Sequence, residues 1–391
     1  MNQMGSVWQV NQINPVQAAT TMNIRKLGAC TALMVGSIFL FPLYANADTD
    51  CVQSPSKTMA DLYDGSNVTV LAHRGLWGGY LAGNNAPENS YTAFAQADSR
   101  CMDGIEIDVK MTRDGVPVAM HDFNLGRTTS IWQGARQQKY DPYKNTGYNP
   151  SVDSISSFTL SYARLLSPDR SKITRESIPT IQKVIDGWIK FKYRSILVFD
   201  TKTASAVTAI GKIIKAEGNV TDPGKGSIYQ KSDYFAMKVN ATTFPSYQSF
   251  LNAVGGPGLS TAIPVFTPNM LTKIDVGSVI KNWYSGQVFE IDVKNRGGLL
   301  QNYMNQVRRD YYNVGVFNAL PDANPSKGEF FKNTGQCCYT LDSLLVVSPT
   351  LKDTQDLRGD WNYLIDQGFK TITSDDSYRL TVYLRSKGLH S

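Results

Sequence analysis

Two histidines, His73 in LAHRG and His121 in VAMHD, each close a short apolar run of this 391-residue chain. A lone histidine is more often a satisfied structural group. Two at equivalent strand ends point instead to general acid–base work, because imidazole titrates near neutral pH. The third histidine, His390, is one residue from the terminus and is expected to fray. Between the first two lies EIDVK, Glu106–Lys110. On a strand, Glu106 and Asp108 share a face, and two carboxylates on a buried face are costly unless something uses them. All-oxygen ligation suits a hard divalent cation, Ca²⁺ or Mg²⁺, rather than zinc. SILVFDTK repeats the acid-x-Lys pattern, making Asp200 a third candidate metal ligand and Lys202 a fixed positive charge for a phosphate. Arg74, beside His73, can hold the same anion through two N–H groups. Two imidazoles, three carboxylates and two cations suggest phosphoryl transfer, with the histidines exchanging protons with the attacking and leaving oxygens. No Walker-type glycine loop is present. EIDVK recurs at Glu290–Lys294. There Glu290 either touches substrate or sits in a satisfied internal ion pair, and the pair is the preferred reading.

These residues need a frame. Strand-like runs occur at 68–73, 104–111, 116–122, 195–202, 234–240, 262–268, 287–295, 314–320 and 370–375. Stretches of helical period such as IPTIQKVIDGWIKF and TASAVTAIGKIIKAEG separate many of them. Alternation of strand and helix predicts a parallel sheet covered by helices, and about eight repeats predict a (β/α)₈ TIM barrel with VPVAMHD as an extra strand near the second. A doubly wound open sheet is the alternative, but no GxGxxG turn supports it. The segment 128–178 is rich in Tyr, Ser, Asn and Pro and reads as an insertion after the second strand region, not as a second domain. Loops after strand C-termini build the active site of such a barrel.

HRG (His73–Gly75), PENS (Pro87–Ser90), GIEIDV (Gly104–Val109), TRDGVPV (Thr112–Val118) and HDFNLGRTT (His121–Thr129) resemble the glycerophosphodiester phosphodiesterase family. SSFTLSYARLL followed by IPTIQKVI is similar to that family's small subdomain and its return to the barrel. The resemblance is dense over residues 68–202 and thins afterwards to barrel rhythm and ITSDD. It implies a TIM barrel that hydrolyses glycerophosphodiesters to an alcohol and glycerol phosphate with a divalent cation. His73 and His121 would be the acid–base pair, and Glu106 and Asp108 metal ligands. Asp200 stands where many relatives carry Glu, which would shift the metal or add a water. Arg74 falls to the phosphate. Glu88 and Asn89 match positions that could serve the metal shell or the glycerol hydroxyls, unless PENS merely caps the helix near Tyr91. Trp77 and Tyr80 either contact the leaving alcohol or pack their Gly-rich loop. Asp-x-Lys also occurs in sphingomyelinase D toxins, which would act on lysolipids and form a cyclic phosphate, but HRG and PEN are absent there. A non-catalytic barrel binding phospho-alcohols would not need the histidine pair.

Composition fits a globular protein, 42% hydrophobic and 18% charged. Residues 1–47 lack Asp and Glu, and MNIRKLGACTALMVGSIFLFPLYANA reads as a signal peptide cleaved after Ala47, with the first 21 residues an upstream extension. The barrel then occupies 48–391, and a secreted or periplasmic location follows. Losing Arg25 and Lys26 lowers the formal charge from +6 to +4, which suits an anionic small substrate. No basic run argues for nucleic acid, and no later stretch is apolar and long enough to span a membrane. Sequons at Asn67, Asn219 and Asn240 matter only in a eukaryotic secretory route. Export permits disulfides among Cys51, Cys101, Cys337 and Cys338. A vicinal Cys337–Cys338 bridge would be strained, so one of that pair is expected to reach Cys51 or Cys101. No Cys/His cluster suggests zinc.

Overall fold

Every apolar run singled out above forms a strand, because β-branched and aromatic residues fit a pleated surface buried on both faces. The computed structural model describes residues 51, 53–78, 85–218, 220, 230–286 and 288–391. The leader, Tyr80 and the sequon at Asn219 lie outside them. In chain order the strands are β1 (Thr69–Ala72), β2 (Gly104–Met111), β3 (Pro117–Ala119), β4 (Arg164–Leu166), β5 (Ile173–Ser177), β6 (Ile196–Thr201), β7 (Phe235–Asn240) and β8 (Thr261–Phe266). There follow β9 (Val288–Ile291), β10 (Asn313–Asn318), β11 (Glu329–Phe331), β12 (Cys337–Thr340), β13 (Val346–Ser348), β14 (Leu351–Lys352) and β15 (Thr371–Ser374).

Eight parallel strands run in the order β1-β15-β10-β9-β8-β7-β6-β2, and β2 pairs back onto β1 through Leu71↔Gly104 and Ala72↔Ile105. The ring is a TIM barrel. β1 ends at Ala72, so the rest of β2 runs on beyond it, and β3 pairs antiparallel with that projecting end at Val109↔Ala119. Leu71, Val198, Ala236, Ile263 and Val288 fill the lower lumen together with Met59 and Leu62 of a helix at Pro55–Asp64. Outward residues such as Val70, Ile105, Phe199 and Met237 pack in one cluster with Phe94, Ile185, Trp188 and Ile210 of the surrounding helices. The helices at Tyr91–Ser99, Ile181–Phe191, Ala204–Ala216, Gln301–Arg309 and Trp361–Asp366 match the helical stretches of the sequence. Those at Pro55–Asp64, Tyr247–Val254, Val276–Asn282 and Ser377–Ser386 were not singled out in the sequence, and the last buries little beyond Leu380 and Leu384 among its apolar side chains.

The insertion after β3 holds two short helices, Ile131–Ala135 and Ser157–Leu160, and the β4–β5 hairpin. Its own apolar cluster includes Leu125, Ile131, Val152, Leu160 and Leu165. A second lobe, absent from the sequence reading, interrupts the chain between β10 and β15 with the hairpins β11–β12 and β13–β14. Strands this short with half-exposed side chains carry no readable period. The lobe docks on the insertion: Phe123 N–H donates to Asn333 O at 2.6 Å, and Cys337 N–H to Pro142 O at 3.0 Å.

Two expectations are corrected. Cys51 bonds Cys101, with Cα atoms 5.5 Å apart, and Cys337 bonds Cys338. Cys101 lies just before β2, at the base of the barrel, whereas β12 belongs to the lobe over the mouth, so neither member of the second pair reaches the first. His390 does not fray. It is buried, and its Nε2 lies 2.9 Å from Asp103 Oδ2, which also accepts from Val70 N–H at 2.7 Å.

Burial opposes a charge on His390, yet the Asp103 hydrogen bond and charge outweigh it, so its pKa lies above the ordinary imidazole value. A raised folded-state pKa adds stability that is complete below about pH 6.5 and fades as pH rises through the folded value. The melting-temperature gap between the native protein and His390→Ala is therefore expected to be wider near about pH 5.5 than near about pH 9. An unchanging gap would remove His390–Asp103 as a titrating tie.

Candidate active site

The C-terminal ends of the barrel strands open into a cavity of about 220 Å³ whose wall includes His73, Arg74, Glu106, Asp108, His121 and Asp200. HRG turns sharply after β1, with Arg74 at φ 59° and Gly75 at φ 80°. A side chain at Gly75 would strike Ala93, 2.8 Å away, at the start of the following helix. Because β2 outlasts β1, its backbone and carboxylates need other partners. Arg74 N–H donates to Glu106 Oε2 at 3.2 Å. Asn89, itself at φ 53°, accepts from Asp108 N–H at 3.2 Å and donates to Asp108 Oδ2 at 3.1 Å. Left-handed backbone at non-glycine residues costs about 1–3 kcal/mol each, and here it aims both residues at β2.

Both histidine rings are pinned through Nδ1. His73 Nδ1 lies 2.8 Å from Asp375 Oδ1, which also accepts from Trp77 Nε1 at 3.0 Å. His121 Nδ1 lies 2.8 Å from Asp122 Oδ1. A carboxylate accepting from Nδ1–H fixes that tautomer and frees Nε2 for proton transfer. His73 Nε2 sits 4.0 Å from Glu106 Oε2. Burial lowers the His73 pKa, and the Asp375 charge more than restores it.

Ligand atoms of His73, Glu106 and Asp108 lie within 4.8 Å of one another. Burial, then the neighbouring Asp108 charge, pushes Glu106 up to about 7. Burial also works against Asp108, but the His121, Arg74 and Lys110 charges hold it well below the usual carboxylate range. A divalent cation would relieve the penalty on Glu106, so the hard-oxygen donor set fits one. Asp200 lies in register with Asp108 on the adjacent strand and lines the same cavity, but it stands outside the close group and is hydrogen-bonded to Lys202. Glu88, His121 and Asp122 also cluster. Arg127 occupies both carboxylates there, at 2.6 Å from Asp122 and 2.7 Å from Glu88.

The sequence candidates thus divide. His73, His121, Arg74, Glu106, Asp108, Asp200 and Lys202 share the cavity wall. Glu88 and Asn89 stand behind it, Glu88 binding the Arg74 and Arg127 guanidinium groups and Asn89 clamping Asp108. Ser90 does cap the helix, accepting from Ala93 N–H at 3.1 Å, so PENS both caps and positions. Trp77 reaches Asp375. Sequence reasoning missed Asp375, although it ends the last strand-like run, and Asp122, which directly follows His121. It also missed Lys238, Arg127 and the lobe residues Asp322, Phe330 and Tyr339. Glu290 is paired internally, with Lys238 Nζ 2.6 Å from its Oε2.

The barrel and its mouth define an α/β enzyme scaffold with a carboxylate–imidazole centre. The profile of the "Glycerophosphoryl diester phosphodiesterase family" matches residues 73–263, just under half of the chain, and the chain is similar to that family there. It is similar to glycerophosphodiester phosphodiesterase 1 of Mus musculus, 28% identical over 140 residues that cover 34% of each protein. A glycerophosphodiester phosphodiesterase of Bacillus altitudinis is 39% identical over 75 residues, 19% of this chain and 28% of that one. The chain therefore spans about a third or less of the length of these curated relatives. A solved glycerophosphoryl diester phosphodiesterase from Parabacteroides distasonis ATCC 8503 shares the fold at 16% identity, with TM-score 0.53 over 85% of this chain and 92% of that one.

Glu106→Gln and Asp108→Asn are expected to weaken Ca²⁺ or Mg²⁺ binding by an order of magnitude or more, since the carboxamide loses the charge a hard cation needs. Glu290→Gln should leave that affinity nearly intact. Calorimetric titration of the three variants, matched for folding by circular dichroism, decides this. Equal losses in Glu106→Gln and Glu290→Gln would refute the assignment.

Proposed function

We propose that this protein hydrolyses glycerophosphodiesters to an alcohol and glycerol phosphate with a divalent cation, Ca²⁺ or Mg²⁺, acting outside the cytoplasm after loss of its leader. The observation that carries the reading is the pair of imidazoles, each pinned at Nδ1 by an aspartate, flanking buried carboxylates and Arg74. A phospho-alcohol binder would have no use for two oriented proton carriers.

Glu106 and Asp108 would hold the cation, with Asp200 as a third carboxylate, and the bound ion would polarise a phosphoryl oxygen. The Arg74 guanidinium, charged under all conditions and fixed among Glu88, Asp108 and Asp322, lies beside that position and steadies the charge growing on the phosphoryl group. Lys202, at the rim, adds a second positive charge. One imidazole takes the proton of the attacking oxygen through Nε2, and the other returns a proton to the departing alcohol oxygen. Asp375 and Asp122 keep each ring in the tautomer and orientation this exchange requires, and stabilise it when protonated. Asn89 and Glu88 act through Asp108 and Arg74.

His73→Ala and His121→Ala should each lower turnover by about 10²-fold or more with the fold preserved. Asp375→Asn should also lower it, by misorienting His73, while leaving cation affinity close to native. Phosphorus NMR of the products separates the competing chemistries: glycerol phosphate fits this reading, a cyclic phosphate fits internal transfer of the sphingomyelinase D kind, and no turnover fits a binder. Near-native rates in either histidine variant with cation bound would end the acid–base assignment.

A further inference from the structure

Cys337 and Cys338 are bonded to each other within β12, although adjacent side chains of a regular strand point to opposite faces. The backbone accommodates the pair with a bulge. Phe330 pairs with Tyr339 but Phe331 pairs with Cys337, so Cys338 is an extra residue with none opposite it. Around that bulge the hairpin builds part of the catalytic wall. Phe330, Phe331 and Tyr339 all line the cavity. The Phe330 and Tyr339 rings stack with centroids 5.3 Å apart. Phe331 N–H donates to Asp322 Oδ1 at 3.0 Å, and Asp322 Oδ2 lies 3.5 Å from Arg74 Nη1. On the facing strand, Cys337 N–H donates to Pro142 O at 3.0 Å. These two amides stand beside the bulge, one tying the lobe to the mouth and the other tying it to the first insertion.

The two disulfides differ in access. Cys51 is partly exposed, but its partner Cys101 is 3% exposed at the base of the barrel, whereas Cys337 and Cys338 are both partly exposed on the lobe. Thiol–disulfide exchange requires a thiolate to reach a sulfur, so access ranks the two bonds. A small dithiol reaches the β12 pair first. One of its thiolates attacks a sulfur and forms a mixed disulfide, and its second thiolate then displaces the protein. Two electrons and two protons pass to the chain, leaving Cys337 and Cys338 as thiols and the reagent as a cyclic disulfide. Nothing then obliges Cys338 to stay in the bulge. A strand that slips by one residue turns its side chains to the opposite face, and the rings beside the bulge are the cavity wall.

We propose that Cys337–Cys338 is a reversible thiol–disulfide modification site on the active-site wall, and that its reduction by a dithiol loosens the β11–β12 hairpin and weakens substrate binding at the mouth. The proton carriers and the carboxylates are untouched by this change. Arg74 keeps Glu88 and Asp108 when its Asp322 contact loosens, and the histidines keep Asp375 and Asp122. KM therefore responds, while kcat and cation affinity stay close to native. An oxidising compartment holds the wall closed and a thiol-rich one opens it. The kinetic part of this proposal rests on the hydrolase reading above.

The test treats the native protein with rising dithiothreitol and maps alkylated thiols in aliquots by mass spectrometry. Cys337 and Cys338 should become labelled before Cys51 and Cys101. In that two-thiol state, hydrogen–deuterium exchange should quicken at the Phe331 and Cys337 amides and stay unchanged along β2. KM for glycerophosphocholine should rise about 3- to 10-fold, the worth of a lost ring contact, and fall back on reoxidation. The double variant Cys337→Ser with Cys338→Ser should show the raised KM and ignore the reductant. Earlier labelling of Cys51 and Cys101, unchanged exchange at the two amides, or an unchanged KM in the two-thiol state each overturns the proposal. So does a double variant that answers the reductant as the native protein does, because the effect then lies at Cys51–Cys101. If the double variant does not fold, reversal on reoxidation of the native protein decides. If the native protein turns over glycerophosphocholine in neither state, the hydrolase reading falls, and labelling with exchange still decides the modification site.

Discussion

Glu106 and Asp108 stand side by side on one face of a strand, 1% and 2% exposed, and the mouth of the barrel is arranged around that fact. Two adjacent carboxylates removed from water are tolerated only with compensating charge or a shared proton. Arg74 supplies charge from one side, Asn89 donates to Asp108 Oδ2 from another, and the left-handed turns at both residues bring them within reach. Glu106 keeps the residual penalty, which a divalent cation would relieve. The early end of β1 belongs to the same arrangement. A full-length neighbour would have satisfied β2 with backbone and left no room for side chains to do so.

Much of this was legible in the sequence, for identifiable reasons. Barrel strands buried on both faces announce themselves as continuous apolar runs, and all nine expected runs formed strands. A charged residue inside such a run stands out against its neighbours, so Glu106, Asp108 and Asp200 were visible as candidates. Histidines were too few to hide. What stayed illegible depends on contacts between distant segments. Asp375 acquires meaning only when β15 lies beside β1. Lys238 looked like a stray charge in YFAMKVN until Glu290 and Thr373 met it. The lobe between β10 and β15 stabilises itself on the first insertion rather than through a periodic face of its own, so no pattern within its sequence marks it.

The two lobes over the mouth also show how one barrel diversifies its entrance without touching its ring. Arg127 of the first lies over Phe331 of the second, 4.9 Å from the ring centroid, and binds Asp122 and Glu88 beneath. That single guanidinium therefore couples the outer loops to the partner of His121 and to the partner of Arg74.

His73 and Asp375 are separated by 302 positions in the chain, yet they touch. The first strand of the ring carries the imidazole, and the carboxylate that orients it follows the last. A polypeptide emerging from its N-terminus displays both histidines, the β2 carboxylates and Arg74 when less than half of it has been made, but the ring stays open until β15 docks between β10 and β1. Joining ends so far apart carries a large loop-closure entropy and makes the final pairing a slow, non-local event. A chain that stops short of β15 thus holds both histidines and the β2 carboxylates but lacks the aspartate that orients His73.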